Sequence, residues 1–369
     1  MGEDIEAINK EFYAKGLTDG LPIIPPTIER VKKMLEFTDM KPDDSLGKCP
    51  PSERESLVES VAANAVMAGC EPEYFPVVIA TIQATLDRPS LRAALGTTGG
   101  GWPMAIVNGP IAKEIGVYSS WAAVGTGPQQ KANLTIGRTI TLCMQNIGKS
   151  VPGISEKKPF YHLMRHGVCF AENEDLIPPP WAPLHVDRGF DKNTSVVSVV
   201  GEGGFQTIGG GGRPSGIFLF DLARWAARLG EAGASYSITR GSDGIFVFNP
   251  LQAKVYTDNG WSKKDLQKYL YENCRSDPND WYKDYPPDIR DDMLRTVFST
   301  APTWIGRFSK SISRFETPDV INIVVAGNGP PRTHIKMPSG HNYDPLVTKP
   351  IVFADGTPVK SVYDFKKRQ

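Results

Sequence analysis

Apolar strand segments that end in glycine-rich turns, alternating with helical segments, constrain this chain more than any other feature. A strand predicted over 104–107 runs into Asn108-Gly109-Pro110, and one over 320–326 runs into Gly327-Asn328-Gly329-Pro330. Alternation of this kind is typical of sheets covered by helices. The sequence therefore predicts an α/β fold, or α+β, with glycine-rich loops at the strand ends. The shared Asn-Gly-Pro ending also predicts that the two turns lie near each other.

Two nearly all-apolar helices make the first half of the chain helix-rich. One is predicted from 53 to Gly69, opened by a capping box at Ser52-x-x-Glu55, and the other over 74–86. Their faces carry so few polar residues that part of their surface is expected to meet a second subunit. We therefore expect a homodimer.

A proline-rich run marks the predicted domain border. Residues 178–183 read Pro-Pro-Pro-Trp-Ala-Pro, which is typical of a stiff connection. The interpretation is a helix-rich domain over 1–177 with the first glycine-rich loop, a connection over 178–189, and a mixed α/β domain over 190–369.

Charge and cysteine usage exclude several classes of protein. The 41 basic and 41 acidic residues balance, so no basic excess points to nucleic acid or to an anionic membrane. The five cysteines form no C-x-x-C pair, which predicts reduced thiols rather than a disulfide framework. The acidic N-terminus lacks the apolar run of a signal peptide, and no run reaches the roughly 20 apolar residues of a membrane span. We expect a cytoplasmic protein.

Nucleotide motifs fail, but the glycine runs remain candidate anion sites. After Gly201-x-Gly203 the third glycine of a dinucleotide fingerprint is replaced by Gln206, and no Walker A pattern is present. A nucleotide cofactor is therefore not expected. Uncovered backbone N–H groups of consecutive glycines suit a bound anion, and an arginine beside them suits a carboxylate or phosphate. The predicted substrate-binding residues are Gly99, Gly100, Gly101, Asn108, Gly210, Gly211, Arg213 and Asn328.

The predicted chemical centre is the stretch that contains His162, His166, Cys169, Glu172 and Glu174. The two histidines would share one helical face, so with Cys or Glu they could bind a divalent transition metal. Alternatively, Cys169 is a thiolate nucleophile with His166 as its base. A third interpretation is purely structural, with surface histidines and a core cysteine.

Glu172 and Glu174 carry the acid–base hypothesis. If the strand that contains Cys169 continues, the two carboxylates lie on one face, since side chains repeat every two residues along a strand. Paired carboxylates raise one another's proton affinity, which suits proton transfer. The alternative is that both are solvated loop residues.

Four segments together resemble a known family. They are 18–27 (TDGLPIIPPT), 106–110 (IVNGP), 135–138 (TIGR) and 169–174 (CFAENE). This combination is similar to a bacterial family of uncharacterised proteins, some of them associated with neighbouring genes for redox (seleno)proteins with a U-G-S-C motif. The resemblance covers most of the chain and implies that the four segments converge on one site, with a redox protein as a partner. The chain has no U-G-S-C motif, so membership of the redox family itself is not implied.

These observations predict an enzyme that acts on a small anionic metabolite by lyase or hydrolase chemistry. The glycine turns would bind the anion, and the central stretch would transfer protons or attack. The alternative is a non-catalytic or reductive subunit of a redox complex with a thiol or selenol partner protein.

Overall fold

A computed structural model describes residues 4–96, 102–157, 163–202, 206–209, 222–223, 243–277, 280, 283–300, 311–330, 332–336 and 345–368. The fold is α/β with mixed sheets, which confirms the predicted class, and the expected helix-rich first half and mixed-sheet second half agree with it in outline. Within these ranges no helix is both long and apolar enough to cross a membrane.

Helices and strands alternate along the described chain. The helices are α1 (Ile5–Ala14), α2 (Ile28–Leu35), α3 (Val58–Ala68), α4 (Phe75–Leu86), α5 (Leu91–Gly96), α6 (Pro110–Glu114), α7 (Lys131–Asn146), α8 (Leu184–Asp187), α9 (Pro250–Asp258), α10 (Lys263–Asn273), α11 (Pro287–Thr300) and α12 (Asp364–Arg368). The strands are β1 (Ser45–Cys49), β2 (Arg54–Leu57), β3 (Trp102–Asn108), β4 (Val168–Ala171), β5 (Val196–Glu202), β6 (Gln206–Gly209), β7 (Gly244–Phe248), β8 (Arg275–Ser276), β9 (Ile312–Ser313), β10 (Ile321–Val325), β11 (Arg332–Lys336) and β12 (Val347–Pro350).

Two four-stranded mixed sheets form the centre of the molecule. The first has the strand order β12-β5-β3-β4 and the second has β10-β7-β11-β6. In each sheet an edge strand runs parallel to its neighbour, β4 to β3 and β10 to β7. Each of the other two strands of a sheet is antiparallel to the strand before it, β5 to β3 and β12 to β5 in the first sheet, and β11 to β7 and β6 to β11 in the second. The two sheets therefore share one pattern of strand directions.

The two sheets also share one residue register, as their corresponding pairs show. Val107 pairs with Ala171 and Val197 in the first sheet, as Phe248 pairs with Val325 and Thr333 in the second. Val197 in turn pairs with Lys349, as Thr333 pairs with Ile208. Beyond the strands, Glu172 N donates to Val107 O as Ala326 N donates to Phe248 O. The described strands within 102–209 and 244–350 thus form two structural repeats.

Each repeat places its last strand in the sheet of the other repeat. β6 follows β5 but pairs with β11, and β12 follows β11 but pairs with β5. The division expected at 178–189 stays a prediction, but the two parts it defines share the first sheet, since β5 and β12 both come from the second part.

The sheets pack face to face between two helical layers. On β3, Met104 and Ile106 face the second sheet, where they meet Val247 on β7 and Val324 on β10. The alternate β3 residues face α3, α4 and α7, while the other face of the second sheet packs on α9 and α10. Both sheets are therefore covered on two sides, which explains the nearly continuous apolar sequences of β3, β4, β7 and β10.

Two expectations about α3 and α4 need correction. Ser52 and Glu55 do not cap a helix, because β2 occupies 54–57 and α3 begins at Val58. Ser52 Oγ instead donates to Ile147 O at 2.8 Å, and Glu55 accepts from Ser45. The apolar residues of α3 and α4 are buried within the chain itself, so these two helices lack the free apolar face that suggested a homodimer. The homodimer stays a prediction.

Candidate functional site

A polar cluster lies where β3 and β4 end. Because the two strands are parallel, their carboxyl ends meet at one edge of the sheet. Asn108 is the last residue of β3, and Nδ2 of its side chain donates to Glu172 Oε2 at 2.7 Å and to Glu174 Oε1 at 3.0 Å. The backbone N–H of Gly109 donates to Glu174 Oε1 at 2.7 Å. The strand-end asparagine and both carboxylates predicted from the sequence are therefore brought together.

Glu172 is buried and connects three parts of the fold. Its Oε1 accepts from the backbone N–H of Val325 at 3.0 Å, and its Oε2 accepts from that of Leu184 at 2.7 Å. Burial raises the pKa of this carboxyl, an effect opposed by the charge of Lys263 and by the donated hydrogen bonds. A carboxylate so enclosed fixes β4 against β10 and the start of α8, and it has no open side for a substrate.

Glu174 has a different environment. Its side chain is 15% exposed, whereas the adjacent His185 side chain is fully buried, with Nδ1 at 3.8 Å from Glu174 Oε1. His185 Nε2 lies 3.2 Å from the carbonyl oxygen of Lys192 and so acts as the donor to it. In the described part of the chain, buried Nδ1 of His185 and Oδ1 of Asn108 have no hydrogen-bond partner. Two buried polar atoms are thus free to bond with a ligand.

A second charged group lies at the opposite end of β4. Arg138 on α7 binds Asp19 through two hydrogen bonds, Nε to Oδ2 at 2.8 Å and Nη2 to Oδ1 at 2.7 Å. Arg138 also donates to the carbonyl of Pro22 at 3.0 Å. Burial by itself would raise the pKa of Asp19, but the hydrogen bonds and charge of Arg138 outweigh it and lower that pKa. This pair fastens the extended proline-rich segment to α7.

The four segments that suggested a family resemblance therefore meet as two pairs. Segments 106–110 and 169–174 meet at the end of β4, while 18–27 and 135–138 meet through Asp19 and Arg138. Gly137 lies against Gly167, just before β4 begins, because a Cβ at Gly137 would be 2.7 Å from Gly167 C. The two pairs lie at opposite ends of β4, which spans about 13 Å at roughly 3.3 Å per residue.

Cys169 and His166, the described residues of the predicted Cys/His centre, lie in different environments. Cys169 is buried in the core, and burial raises the pKa of its thiol. His166 is exposed at the end of a short 3-10 helix, and His162 lies outside the described residues. All five cysteines are free and buried, and the described residues contain no group of three or more potential metal ligands.

Among the predicted substrate-binding residues, the structure describes Asn108 and Asn328. Asn108 belongs to the polar cluster, and Asn328 lines a cleft of about 520 Å³ at the ends of β7 and β10. The others lie outside the described residues, so their role stays a prediction: Gly99, Gly100, Gly101, Gly210, Gly211 and Arg213.

Two residues of these sites were not found by sequence reasoning. His185 is separated from Glu174 by the proline-rich run, and no spacing rule connects them. Arg332 lines the cleft beside Asn328, and the short polar strand that contains it has no apolar periodicity. A signal was available for Arg332, since it closely follows the second Asn-Gly-Pro turn.

Comparison with known proteins adds no relative: neither the family models nor the curated proteins include a match to this chain. The interpretation of the site therefore depends on its geometry.

Proposed function

We propose that this protein is an enzyme that transfers protons on a small anionic molecule, by lyase or hydrolase chemistry. The single observation that carries the proposal is the setting of Glu174. Its Oε1 is held by two donors, from Asn108 and Gly109, while no described residue donates to its Oε2. The side chain is 15% exposed, so one fixed carboxylate oxygen is open to a substrate.

His185 is the positioning residue of this proposal. Because its Nε2 donates to Lys192 O, Nδ1 is an acceptor in the neutral ring and becomes a donor towards Glu174 when the ring is protonated. At 3.8 Å the ring acts on the carboxylate through its charge rather than through a direct hydrogen bond, and Glu174 itself takes the proton from the substrate and returns it to the product. Asn108 keeps the carboxylate oriented.

The test is a turnover assay against a panel of small carboxylic and hydroxycarboxylic acids in D2O, followed by proton NMR. We expect the wild-type protein to convert at least one acid or to exchange one of its C–H protons for deuterium. Glu174→Gln should lower that rate by about 100-fold or more, since a positioned general base contributes on that scale. Thermal unfolding of the variant should remain cooperative.

Asp175→Asn is the matched control, because Asp175 is the neighbouring acid, is exposed and pairs with Lys113. It should keep the wild-type rate. A Glu174→Gln variant that retains full activity would overturn the proposal. So would a wild-type protein inert towards the whole panel, a result that favours the non-catalytic subunit of a redox complex instead.

A further inference from the structure

Lys263 occupies a position that local rules disfavour. It is the first residue of α10, directly after the cap Ser262, and its side chain is only 8% exposed. A positive charge at the beginning of a helix faces the positive end of the helix dipole, and burial removes the water that would otherwise solvate it. A residue that breaks two local rules at once indicates a role elsewhere in the fold.

The ammonium group of Lys263 uses all three of its donors. Its Nζ donates to Ala182 O at 2.5 Å, to Asp187 Oδ2 at 2.7 Å and to Ile323 O at 3.0 Å. The first acceptor precedes α8, the second is on the last residue of α8, and the third is on β10. Lys263 therefore joins α10 to both ends of the α8 segment and to the edge strand of the second sheet.

Glu172 makes the complementary contacts with the same two segments. It accepts from the N–H groups of Leu184 and Val325, each two residues after a carbonyl that Lys263 binds. Two side chains of opposite charge thus connect the α8 segment to β10. The charge of Lys263 also opposes the effect of burial on the pKa of the Glu172 carboxyl.

His185 lies within the segment that these two side chains hold. It follows the residue bound by Glu172 and comes before Asp187. The ring is 3.2 Å from the carbonyl oxygen of Lys192 through Nε2 and 3.8 Å from Glu174 Oε1 through Nδ1. Because an interaction between charges weakens with distance, any movement of α8 changes how strongly the protonated ring acts on that carboxylate.

We infer that Lys263 is a positioning residue of the candidate site, which holds both ends of α8 and so keeps the His185 ring in place beside Glu174. Lys263 acts through α8 rather than on the substrate. The effect on the rate rests on the proposed proton transfer, whereas the placement of the ring can be measured without turnover.

Heteronuclear NMR of the histidine rings tests this placement, with the His185 signals assigned by their loss in His185→Gln. In the wild-type protein we expect His185 to be fixed as the tautomer with its proton on Nε2, as the bond to Lys192 O requires. Lys263→Met should shift these signals towards those of a free ring that averages both tautomers. Lys263→Arg keeps the charge and the donors, so it should restore most of the wild-type spectrum.

The turnover assay supplies the second measurement. Lys263→Met should lower kcat by about tenfold or more and change KM by less than about twofold, because the base is misplaced while the substrate contacts remain. Lys263→Arg should recover most of the loss in kcat. If Lys263→Met does not unfold cooperatively, Asp187→Ala takes its place, since Asp187 is 40% exposed and its truncation removes one contact of Lys263.

Lys264→Met is the matched control, because Lys264 is the next residue of α10 and is exposed, and it should leave the ring signals and the rate unchanged. Unchanged His185 signals in the folded Lys263 or Asp187 variant would overturn the inference. So would a shifted ring with a wild-type rate, or an equal shift in Lys264→Met. A wild-type protein without turnover contradicts the proposed function alone, since the ring signals still report whether Lys263 places His185.

Discussion

Glu172 and Glu174 are two residues apart, yet the fold gives them different tasks. Glu172 accepts from backbone N–H groups of two other segments and is buried, whereas the side chain of Glu174 is 15% exposed. The difference arises because β4 ends at Ala171, after which the chain turns past β10. Of the two acids predicted as a catalytic pair, Glu172 holds the strand ends together, and Glu174 is the one for which we propose a role in proton transfer.

The raised pKa of Glu172 predicts a pH dependence of stability. Because the folded protein binds the proton of the Glu172 carboxyl more tightly than the unfolded chain does, this protonation stabilises the fold fully below the ordinary carboxyl pKa. It is lost as pH rises through the raised folded pKa. Compared with Glu172→Gln, the wild-type protein should therefore lose unfolding free energy as pH rises above the ordinary carboxyl range, by at most about 1.4 kcal/mol per pH unit. Urea unfolding at several pH values measures this difference.

Glu272→Gln, a change of an exposed glutamate on α10, is the control for the loss of one carboxylate. It shows the pH dependence that any lost charge produces. If the advantage of wild type over Glu172→Gln instead grew with pH, the three donated hydrogen bonds would outweigh burial and our interpretation of the pKa would be wrong.

At the scale of the elements, α7 crosses close to the start of β4. Gly167 has a left-handed φ of 86°, and a Cβ there would lie 2.0 Å from the carbonyl carbon of Gly137 on α7. Gly167→Ala should therefore cost about 3 kcal/mol or more, from backbone strain and overpacking together. Chemical denaturation measures the loss.

Gly189→Ala separates the two contributions to that loss. Gly189 has nearly the same φ, 88°, but nothing lies within 4 Å of its added Cβ. It should cost only about 1 kcal/mol, the strain of the left-handed backbone. Equal losses at the two glycines would show that α7 and β4 can move apart and that the close contact is not required.

At the scale of the whole molecule, the exchange of β6 and β12 ties the two repeats together. A fragment over 1–177 lacks β5 and β12, half of the first sheet, and a fragment over 190–369 contains β5 without β3. We expect neither fragment to fold alone, since each leaves apolar strands unpaired. Circular dichroism and cooperative thermal unfolding check this, with the two fragments coexpressed as the control. A fragment that unfolds cooperatively by itself would support the division at 178–189.

The sequence alone determined the local elements. The apolar strands before the two Asn-Gly-Pro turns lie where the sequence predicted them. Such features depend on neighbouring residues, so a local pattern is sufficient to reveal them. The strand-end position of Asn108 was predictable for the same reason.

Tertiary structure alone decided which elements meet. Asp19 binds Arg138 across 119 positions, and the His185 ring reaches Glu174 only because the proline-rich run folds back. The short strands β6 and β12 have no apolar period that names their partners, so their exchange between sheets could not be read locally. Burial of Cys169 between sheet and helices likewise results from packing. Pairing and burial depend on residues distant in the chain, and one sequence carries no direct record of those contacts.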